Sequence, residues 1–289
     1  MLSYAAITPA RNEAENLARL AACLTAQTQL PAAWLIVDNG STDRTDEVAE
    51  ELARRHDWIR VLAVPGARAA ARGGPIVRAF AAGAAELADA ASDILVKLDA
   101  DLTLGPDYFH ELVGAFAADA RLGIASGICH ELEEGAWRPL YGTRSHVWGA
   151  CRAYRRECLR EVAPLEERQG WDEIDALKAQ LRGWRVGTIF DLPFYHHRPE
   201  GERDGARTRW ADQGDTAHYM GYRASYLLLR ALFQARSDPR ALALVWGYGR
   251  AAARRAPRLA DREARAYLRE QQRLRVLSLR AREALGRAP

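Results

Sequence analysis

The stretch ILVKLDADLTL, residues 94 to 104, joins an apolar run to a pair of acidic residues. Residues 94–96 are typical of a buried β-strand, and Asp99 and Asp101 follow it closely. Two carboxylates this near to each other repel, and burial strengthens the repulsion. We therefore expect a cation to bind where this strand ends.

The sequence before this stretch alternates between strand and helix patterns. Strands are predicted at residues 3–9, 34–37, 58–66 and 92–101. Helices are predicted at residues 14–26, from a cap at Thr42 or Asp43 to about Arg55, and at residues 74–90. Because the strands are too apolar for burial on one face only, they predict a mostly parallel, Rossmann-like sheet with helices on both faces. Ligands of such sheets bind beyond the carboxyl ends of the strands, where Asp38 and Asp99 stand.

The sequence after Gly105 predicts a second half and an extension. Helices are expected at residues 106–119 and 171–182, strands at 122–132 and 184–199, and helices again from Arg207 onward. We predict one domain over residues 1–206, with two halves at residues 1–105 and 106–206. A basic helical extension follows at residues 207–289.

The composition is that of a globular protein, with 48% hydrophobic and 27% charged residues. No apolar run approaches the ~20 residues of a membrane-spanning helix. The N-terminus lacks the charged and apolar regions of a signal peptide. A cytoplasmic location is the expectation.

The net charge of +3 is spread unevenly. Residues 201–289 carry 19 arginines, no lysine and 9 acidic residues, a net charge of +10, which leaves −7 for the rest of the chain. Basic helices with apolar residues suit peripheral contact with anionic lipid, here on the inner face of the plasma membrane. They equally suit packing on the catalytic domain or on a second copy in a homodimer. Nucleic acid is not an expected partner, because no binding motif accompanies the charge.

Three short motifs carry the chemistry. The D-x-D of Asp99 and Asp101, directly after an apolar strand, favours a hard divalent cation over a solvated turn. DNGSTD, residues 38–43, is typical of a turn, but Asp38 at the end of a buried strand also suits a nucleobase or a ribose hydroxyl. TPARNE, residues 8–13, is either a plain loop or a wall of a nucleotide pocket.

TPARNE, VDNGSTD and LDAD, in this order and spacing, resemble the family-2 inverting glycosyltransferases of the GT-A fold, which use nucleotide sugars. The resemblance covers residues 3 to about 200. It implies that residues 1–206 form the catalytic domain, with a nucleotide-binding half at 1–105 and an acceptor and catalytic half at 106–206. It implies that the predicted nucleotide-binding residues are Thr8, Pro9, Arg11, Glu13, Asp38, Arg72, Asp99 and Ala100. It also implies that Asp38 contacts the base, that Asp99 lies near the ribose and the metal, and that Asp101 ligates Mn²⁺ or Mg²⁺ directly. The segment Gly73-Gly74-Pro75 departs from the family pattern.

The resemblance also implies a catalytic base in an acidic pair that opens a helix. Here the pair is Asp172-Glu173, in reversed order, and Asp172 is the favoured base. The alternative is that acidic residues at a helix start interact favourably with the helix dipole and have no catalytic role. In LPFYHHRP, His196 or His197 is the expected further metal ligand, and packing or surface roles are the alternative.

These residues predict a metal-dependent enzyme that moves a sugar from a nucleoside-diphosphate sugar to an acceptor hydroxyl, with inversion. Polysaccharide or glycolipid biosynthesis at the cell envelope, with a lipid-linked acceptor, is the expected context. Two alternatives are a nucleotidyltransferase acting on a sugar phosphate and an inactive nucleotide-sugar-binding scaffold. The lack of glycine in TPARNEAEN argues against the first, and the complete acidic set argues against the second.

Overall fold

The structure is a computed structural model, and it describes residues 2–66, 73–133, 135–140, 146–198 and 205–273. Its strands are β1 (Tyr4–Ala10), β2 (Ala33–Asp38), β3 (Ile59–Ala63), β4 (Ile94–Leu98), β5 (Leu102–Leu104), β6 (Leu122–Glu133), β7 (Ala136–Pro139), β8 (Cys151–Arg155) and β9 (Arg185–His196). Its helices are α1 (Ala14–Thr25), α2 (Thr45–Arg55), α3 (Gly74–Glu86), α4 (Tyr108–Ala118), α5 (Arg156–Val162), α6 (Trp171–Leu181), α7 (Ala206–Tyr219), α8 (Ala224–Gln234), α9 (Ala243–Ala253) and α10 (Arg262–Gln271), with a 3-10 turn at Pro239–Leu242.

The strands form one sheet in the order β3-β2-β1-β4-β8-β6-β9-β5, with β7 paired to β6. The first four strands of this order run parallel, as predicted. Beyond β4 the sheet is mixed: β8 is antiparallel to both β4 and β6, β9 is parallel to β6, and β5 is antiparallel to β9. The predicted α/β class, a sheet flanked by helices with helices at the C-terminus, is confirmed.

Burial on both faces explains the apolar strands. Successive residues of β1 point to opposite faces, so Tyr4 and Ala6 pack in one core with α1 and α4, while Ala5 and Ile7 pack in another with α3. Each large apolar side chain that is fully buried stabilises the fold by about 1.5–3 kcal/mol. Two covered faces therefore require strands without polar alternation.

The sheet brings distant parts of the chain to one edge. Parallel pairing of β1 and β2 sets Ala10 beside Asp38, and β4 ends at the same edge, just before Asp99. The short β5 pairs with the end of β9, which sets Leu102 opposite His196. The acidic motif and the histidine pair, almost a hundred residues apart, thus meet at the carboxyl edge of the parallel strands.

The contacts of the chain group residues 1–199 into one compact unit and residues 200–289 into another. In the second unit, α7 and α9 pack closely because glycines face backbone. A Cβ on Gly247 would lie 1.9 Å from the carbonyl oxygen of Ala211. No helix among the described residues is long and apolar enough to cross a membrane. The helical pattern predicted from Arg207 onward continues past Arg273, and that part of it lies outside the described residues.

Candidate active site

Lys97 is a cation that meets the first carboxylate of the D-x-D. Its side chain is buried in β4 and donates to the Asp99 carboxylate at 2.5 Å and to the carbonyl oxygen of Gly149 at 2.8 Å. Its ammonium group also lies 5.8 Å from the centre of the Trp171 ring. Burial raises the pKa of Asp99, and the nearby Lys97 ammonium opposes that rise. The expectation of a cation at this strand end is met in part by the chain itself.

Asp101 has different partners, which come from the end of β9. One carboxylate oxygen lies 3.4 Å from Nε2 of His196 and the other 3.6 Å from Nη1 of Arg198. Burial raises the pKa of Asp101, but the bond to His196 and the charges of His196 and Arg198 outweigh burial and hold the pKa below its usual range. Asp101 is therefore a carboxylate that stays ionised although it is buried.

The donor set at this edge suits a divalent cation. Ligand atoms of Asp99, Asp101 and His196 lie within 4.8 Å of one another, a spacing that one ion can bridge. Two carboxylate oxygens and an imidazole nitrogen are ligands that Mn²⁺ and Mg²⁺ accept. His197 faces elsewhere, since its Nε2 lies 2.8 Å from the hydroxyl of Thr103. Of the two predicted histidines, His196 has the geometry of a ligand.

A partly buried arginine-glutamate pair ties the first loop to this site. Arg198 donates from both terminal nitrogens to the carboxylate of Glu13, each at 2.9 Å. Such a bidentate pair fixes both position and orientation. Glu13, predicted for the nucleotide pocket, therefore holds Arg198 beside Asp101.

Asn12 joins the two loops predicted to surround the nucleotide. It adopts a φ of 58°, which asparagine tolerates better than most residues. Its side-chain oxygen accepts from the backbone N–H of Thr42 at 2.8 Å, and its own N–H donates to the Ser41 hydroxyl at 3.1 Å. Ser41 in turn donates its hydroxyl to Asp38. Hydrogen bonds thus join the TPARNE and DNGSTD loops, and Asp38 is half-buried between them.

The other predicted nucleotide-binding residues differ in their exposure. The Thr8 hydroxyl is fully buried and accepts from the Trp34 indole at 2.9 Å, so its side chain stabilises the core. Pro9 lies within β1 and is partly exposed, whereas Arg11 is exposed. Ala100 is buried between the two aspartates.

Arg72 lies outside the described residues, but the glycines after it are described. Gly73 has a φ of 82°, and a Cβ there would lie 2.5 Å from the carbonyl oxygen of Arg168. The glycine at position 73 therefore has a steric reason. Arg78 follows in α3 and donates to Glu167 at 2.7 Å, in the same loop.

The predicted base is connected to the D-x-D by contacts through Gly149 and Lys97. Asp172 opens α6, and its Oδ2 would lie 3.0 Å from a Cβ on Gly149. The carbonyl of the same glycine accepts from Lys97, which binds Asp99. Glu173 is also partly buried in the first turn of α6. Asp172 is the acid of the pair that this contact chain connects to the D-x-D.

A second charged cluster lies beneath the start of α6. Arg152 is fully buried and donates to both carboxylate oxygens of Asp175, to the carbonyl oxygen of Val147 at 2.6 Å and to that of Asp172 at 2.7 Å. The Tyr154 hydroxyl completes the cluster by bonding to Asp175. These bonds fix the helix end that carries Asp172.

Sequence reasoning missed Lys97, Arg152 and Arg198. Lys97 stands two residues before Asp99 in a strand, which places both on one face, so period-2 spacing was an available signal. Arg198 follows the histidine pair directly. For Arg152 in β8, whose partner Asp175 comes from α6, no local signal exists.

Comparison with known proteins places these features in a family. The family model described as glycosyl transferase family 2 matches residues 5–163, which is more than half of the chain. No curated protein matches the chain significantly.

Several solved structures share the fold. A mannosyltransferase, PcManGT from Pyrobaculum calidifontis in complex with GDP-Man and Mn²⁺, is 17% identical with a TM-score of 0.56, over 97% of this chain and 84% of that one. TarS 1-349 from S. aureus in complex with UDP is 14% identical with a TM-score of 0.55, over 74% of this chain and 64% of that one. GalNAc-T7 with UDP, GalNAc and Mn²⁺ is 15% identical with a TM-score of 0.57, over 76% and 48%. At these identities the likeness shows the fold alone.

Proposed function

This chain belongs to glycosyl transferase family 2, and we propose that it is a metal-dependent, inverting enzyme that moves a sugar from a nucleoside-diphosphate sugar to an acceptor hydroxyl. The observation that supports this most is the convergence of Asp99, Asp101 and His196 at the carboxyl edge of the sheet, with Asp172 nearby. The solved structures described above include complexes with GDP-Man or UDP and with Mn²⁺, which agrees with this proposal.

The donor's nucleotide would lie along the edge made by the first two loops. Asp38 has a partly exposed carboxylate there that can accept from a base N–H or a ribose hydroxyl. Arg11 is exposed beside it, where its positive charge suits phosphate. Asp99, held on one side by Lys97, keeps a second oxygen for the ribose or the metal.

Asp99, Asp101 and His196 would hold Mn²⁺ or Mg²⁺. Such an ion, when bound, stabilises the negative charge that develops on the departing diphosphate. Arg198 beside Asp101 adds a fixed positive charge at the same place. The chain thus supplies both ligands and a permanent cation for the leaving group.

Asp172 would accept the proton of the acceptor hydroxyl. Its carboxylate is partly exposed at the first turn of α6, and Arg152 fixes its backbone from below. Deprotonation makes the hydroxyl oxygen a stronger nucleophile as it attacks the anomeric carbon. Attack from the face opposite the departing diphosphate inverts the anomeric configuration in one step.

We place this reaction in cell-envelope polysaccharide or glycolipid synthesis, with a lipid-linked acceptor and contact with anionic lipid through the second unit. Helices α8 and α9 support this, because they and the turn between them expose large apolar residues, which we name the α8–α9 surface. Its members are Leu228, Leu229, Leu232, Phe233, Leu242, Val245 and Trp246. Between Asp215 and Asp261 the chain has eight arginines and one acidic residue. Apolar and aromatic side chains beside excess positive charge suit an anionic bilayer surface.

A homodimer through the same surface is the second candidate. The local excess of arginine argues against it, because two copies would bring like charges together. Flotation with vesicles of anionic phospholipid separates the two. Binding that high salt weakens and that Phe233→Ser with Trp246→Ser abolishes would support lipid contact. A salt-resistant dimer in solution scattering without flotation would contradict it.

The donor is tested by thermal unfolding with a panel of nucleoside diphosphates and nucleotide sugars, with Mn²⁺ and with EDTA. A donor at 100 times its Kd is expected to stabilise the protein by about 2.7 kcal/mol. The anomeric configuration of the product, measured by NMR, then tests inversion. Stabilisation that EDTA leaves unchanged, or a product with retained configuration, would contradict the proposal. Transfer of a nucleotidyl group to a sugar phosphate would favour the alternative class.

A further inference from the structure

His196 lies between two carboxylates, one at each nitrogen of its ring. Nε2 is 3.4 Å from an oxygen of Asp101, and Nδ1 is 3.4 Å from an oxygen of Glu131. The two nitrogens stand on opposite sides of one rigid ring, so a contact at one sets the direction of the other. The imidazole therefore forms a link from Glu131 to the D-x-D.

Glu131 is built into this position by the sheet. Strands β6 and β9 pair in parallel, and Glu131 stands directly across from His196 in their register. The Glu131 side chain is buried, although glutamate is rarely buried without a partner. Glu133, two residues along the same strand, is exposed. The burial of Glu131 is thus a local feature and not a property of the whole strand.

The protonation of the imidazole ring links the contact with Glu131 to metal binding. A neutral histidine carries one ring proton, and the nitrogen without the proton is the metal ligand. In the protein without metal, Nε2–H of the charged ring faces Asp101 and Nδ1–H faces Glu131. A metal would take the place of the Nε2 proton, and the contact of Nδ1–H with Glu131 would keep the Nε2 lone pair directed at the metal. A carboxylate in this place also makes the ligating nitrogen more basic.

We infer that Glu131 is a positioning residue for the metal site: it fixes the tautomer and the ring direction of His196 and does not itself contact the donor. This inference rests on the metal-dependent function proposed above. It extends that function to a residue in β6, far in sequence from the D-x-D.

The test measures Mn²⁺ affinity and not turnover. Mn²⁺ is titrated into the protein with saturating UDP, and separately with saturating GDP, and bound ion is followed by electron paramagnetic resonance. Glu131→Leu is expected to weaken Mn²⁺ binding by about 10- to 100-fold. Glu131→Gln should weaken it less, because the amide oxygen still accepts from Nδ1. Glu133→Leu, the matched control on the same strand, should bind Mn²⁺ as the wild type does.

The nucleotide affinity without metal shows whether the role is specific. It should be unchanged in Glu131→Leu, because only the ring direction is lost. Wild-type Mn²⁺ affinity in Glu131→Leu, with a loss in His196→Ala, would overturn the inference alone. Equal losses of Mn²⁺ and metal-free nucleotide binding in Glu131→Leu and Glu131→Gln would also overturn it, since they indicate a general structural role. A wild type that binds no Mn²⁺ with either nucleotide would instead overturn the metal dependence itself.

Discussion

The molecule contains two clusters of buried charge, and they are arranged differently. In the cluster beneath α6, Arg152 and Asp175 are 0% and 1% exposed, and the guanidinium is surrounded by acceptors. At the end of β4, Asp99 is 25% exposed and Asp101 is 8% exposed, and the partners of Asp101 stand 3.4 and 3.6 Å away. The first cluster is closed and the second is open.

The openness of a charge cluster decides whether it can bind a further ligand. A closed network has no free ligand atom, so it stabilises the position of its neighbours and can bind nothing more. An open network of carboxylates, partly neutralised by Lys97 and Arg198, retains oxygens for a cation. Asp172 stands between the two clusters: the closed one holds its backbone, and its carboxylate faces Gly149, the residue that Lys97 also contacts.

The largest effect is expected at this boundary. Asp172→Asn should lower the rate of sugar transfer by about 10²–10⁴-fold, because the amide cannot accept the hydroxyl proton. Shape is preserved, so donor affinity and the unfolding temperature should stay as in the wild type. Glycosyl transfer assays with calorimetry on the same samples check both. If Glu173→Gln loses transfer and Asp172→Asn does not, the two roles are exchanged.

A substitution in the closed cluster should lower the stability of the fold. Arg152→Leu leaves Asp175 buried without its cation, which should cost about 3–5 kcal/mol of the free energy of unfolding. Arg185→Leu is the matched control, because Arg185 pairs with Asp119 at the surface, where an ion pair contributes about 1 kcal/mol or less. Urea unfolding measures both. Similar losses in the two variants would show that the closed cluster contributes no more than a surface ion pair.

The open cluster should respond to metal. The wild type with Mn²⁺ and nucleotide at 100 times their Kd should gain about 2.7 kcal/mol in unfolding free energy, and EDTA should remove the gain. Asp101→Asn should lack this gain, since an amide is a poor replacement for an ionised ligand. Without metal, the variant should unfold close to the wild type. A full metal response in Asp101→Asn would contradict the ligand assignment.

The smallest effect is expected at Lys97. Lys97→Met leaves Asp99 without its ammonium partner, but Asp99 is partly exposed and water can replace some of the contact. We expect a loss of about 1–3 kcal/mol in unfolding free energy, smaller than for Arg152→Leu. Urea unfolding of the two variants side by side gives the ranking. A larger loss at Lys97 would mean that the open site is more sealed than its exposure indicates.

The apolar runs alone were sufficient to predict the parallel half of the sheet. In strands that are buried on both faces, apolar and polar residues do not alternate. β1, β2, β4 and the helices between them could therefore be predicted from the sequence. The same logic placed Asp38 and Asp99 at strand ends. The positions of β5 and the mixed pairing beyond β4 were not predicted, because a three-residue strand leaves almost no periodic signal.

The local pattern of the sequence was thus enough for the fold class, and it predicted the edge where ligands bind and the D-x-D as a cation site. The residues that surround these acids follow from packing between distant elements. Lys97 lies within an apolar strand and contacts Gly149, and the pairing of β6 with β9 brings Glu131 to His196, the one of the two predicted histidines that faces Asp101. Secondary structure is encoded in neighbours along the chain, whereas the partner of a buried charge is chosen by packing between elements, which no single segment contains.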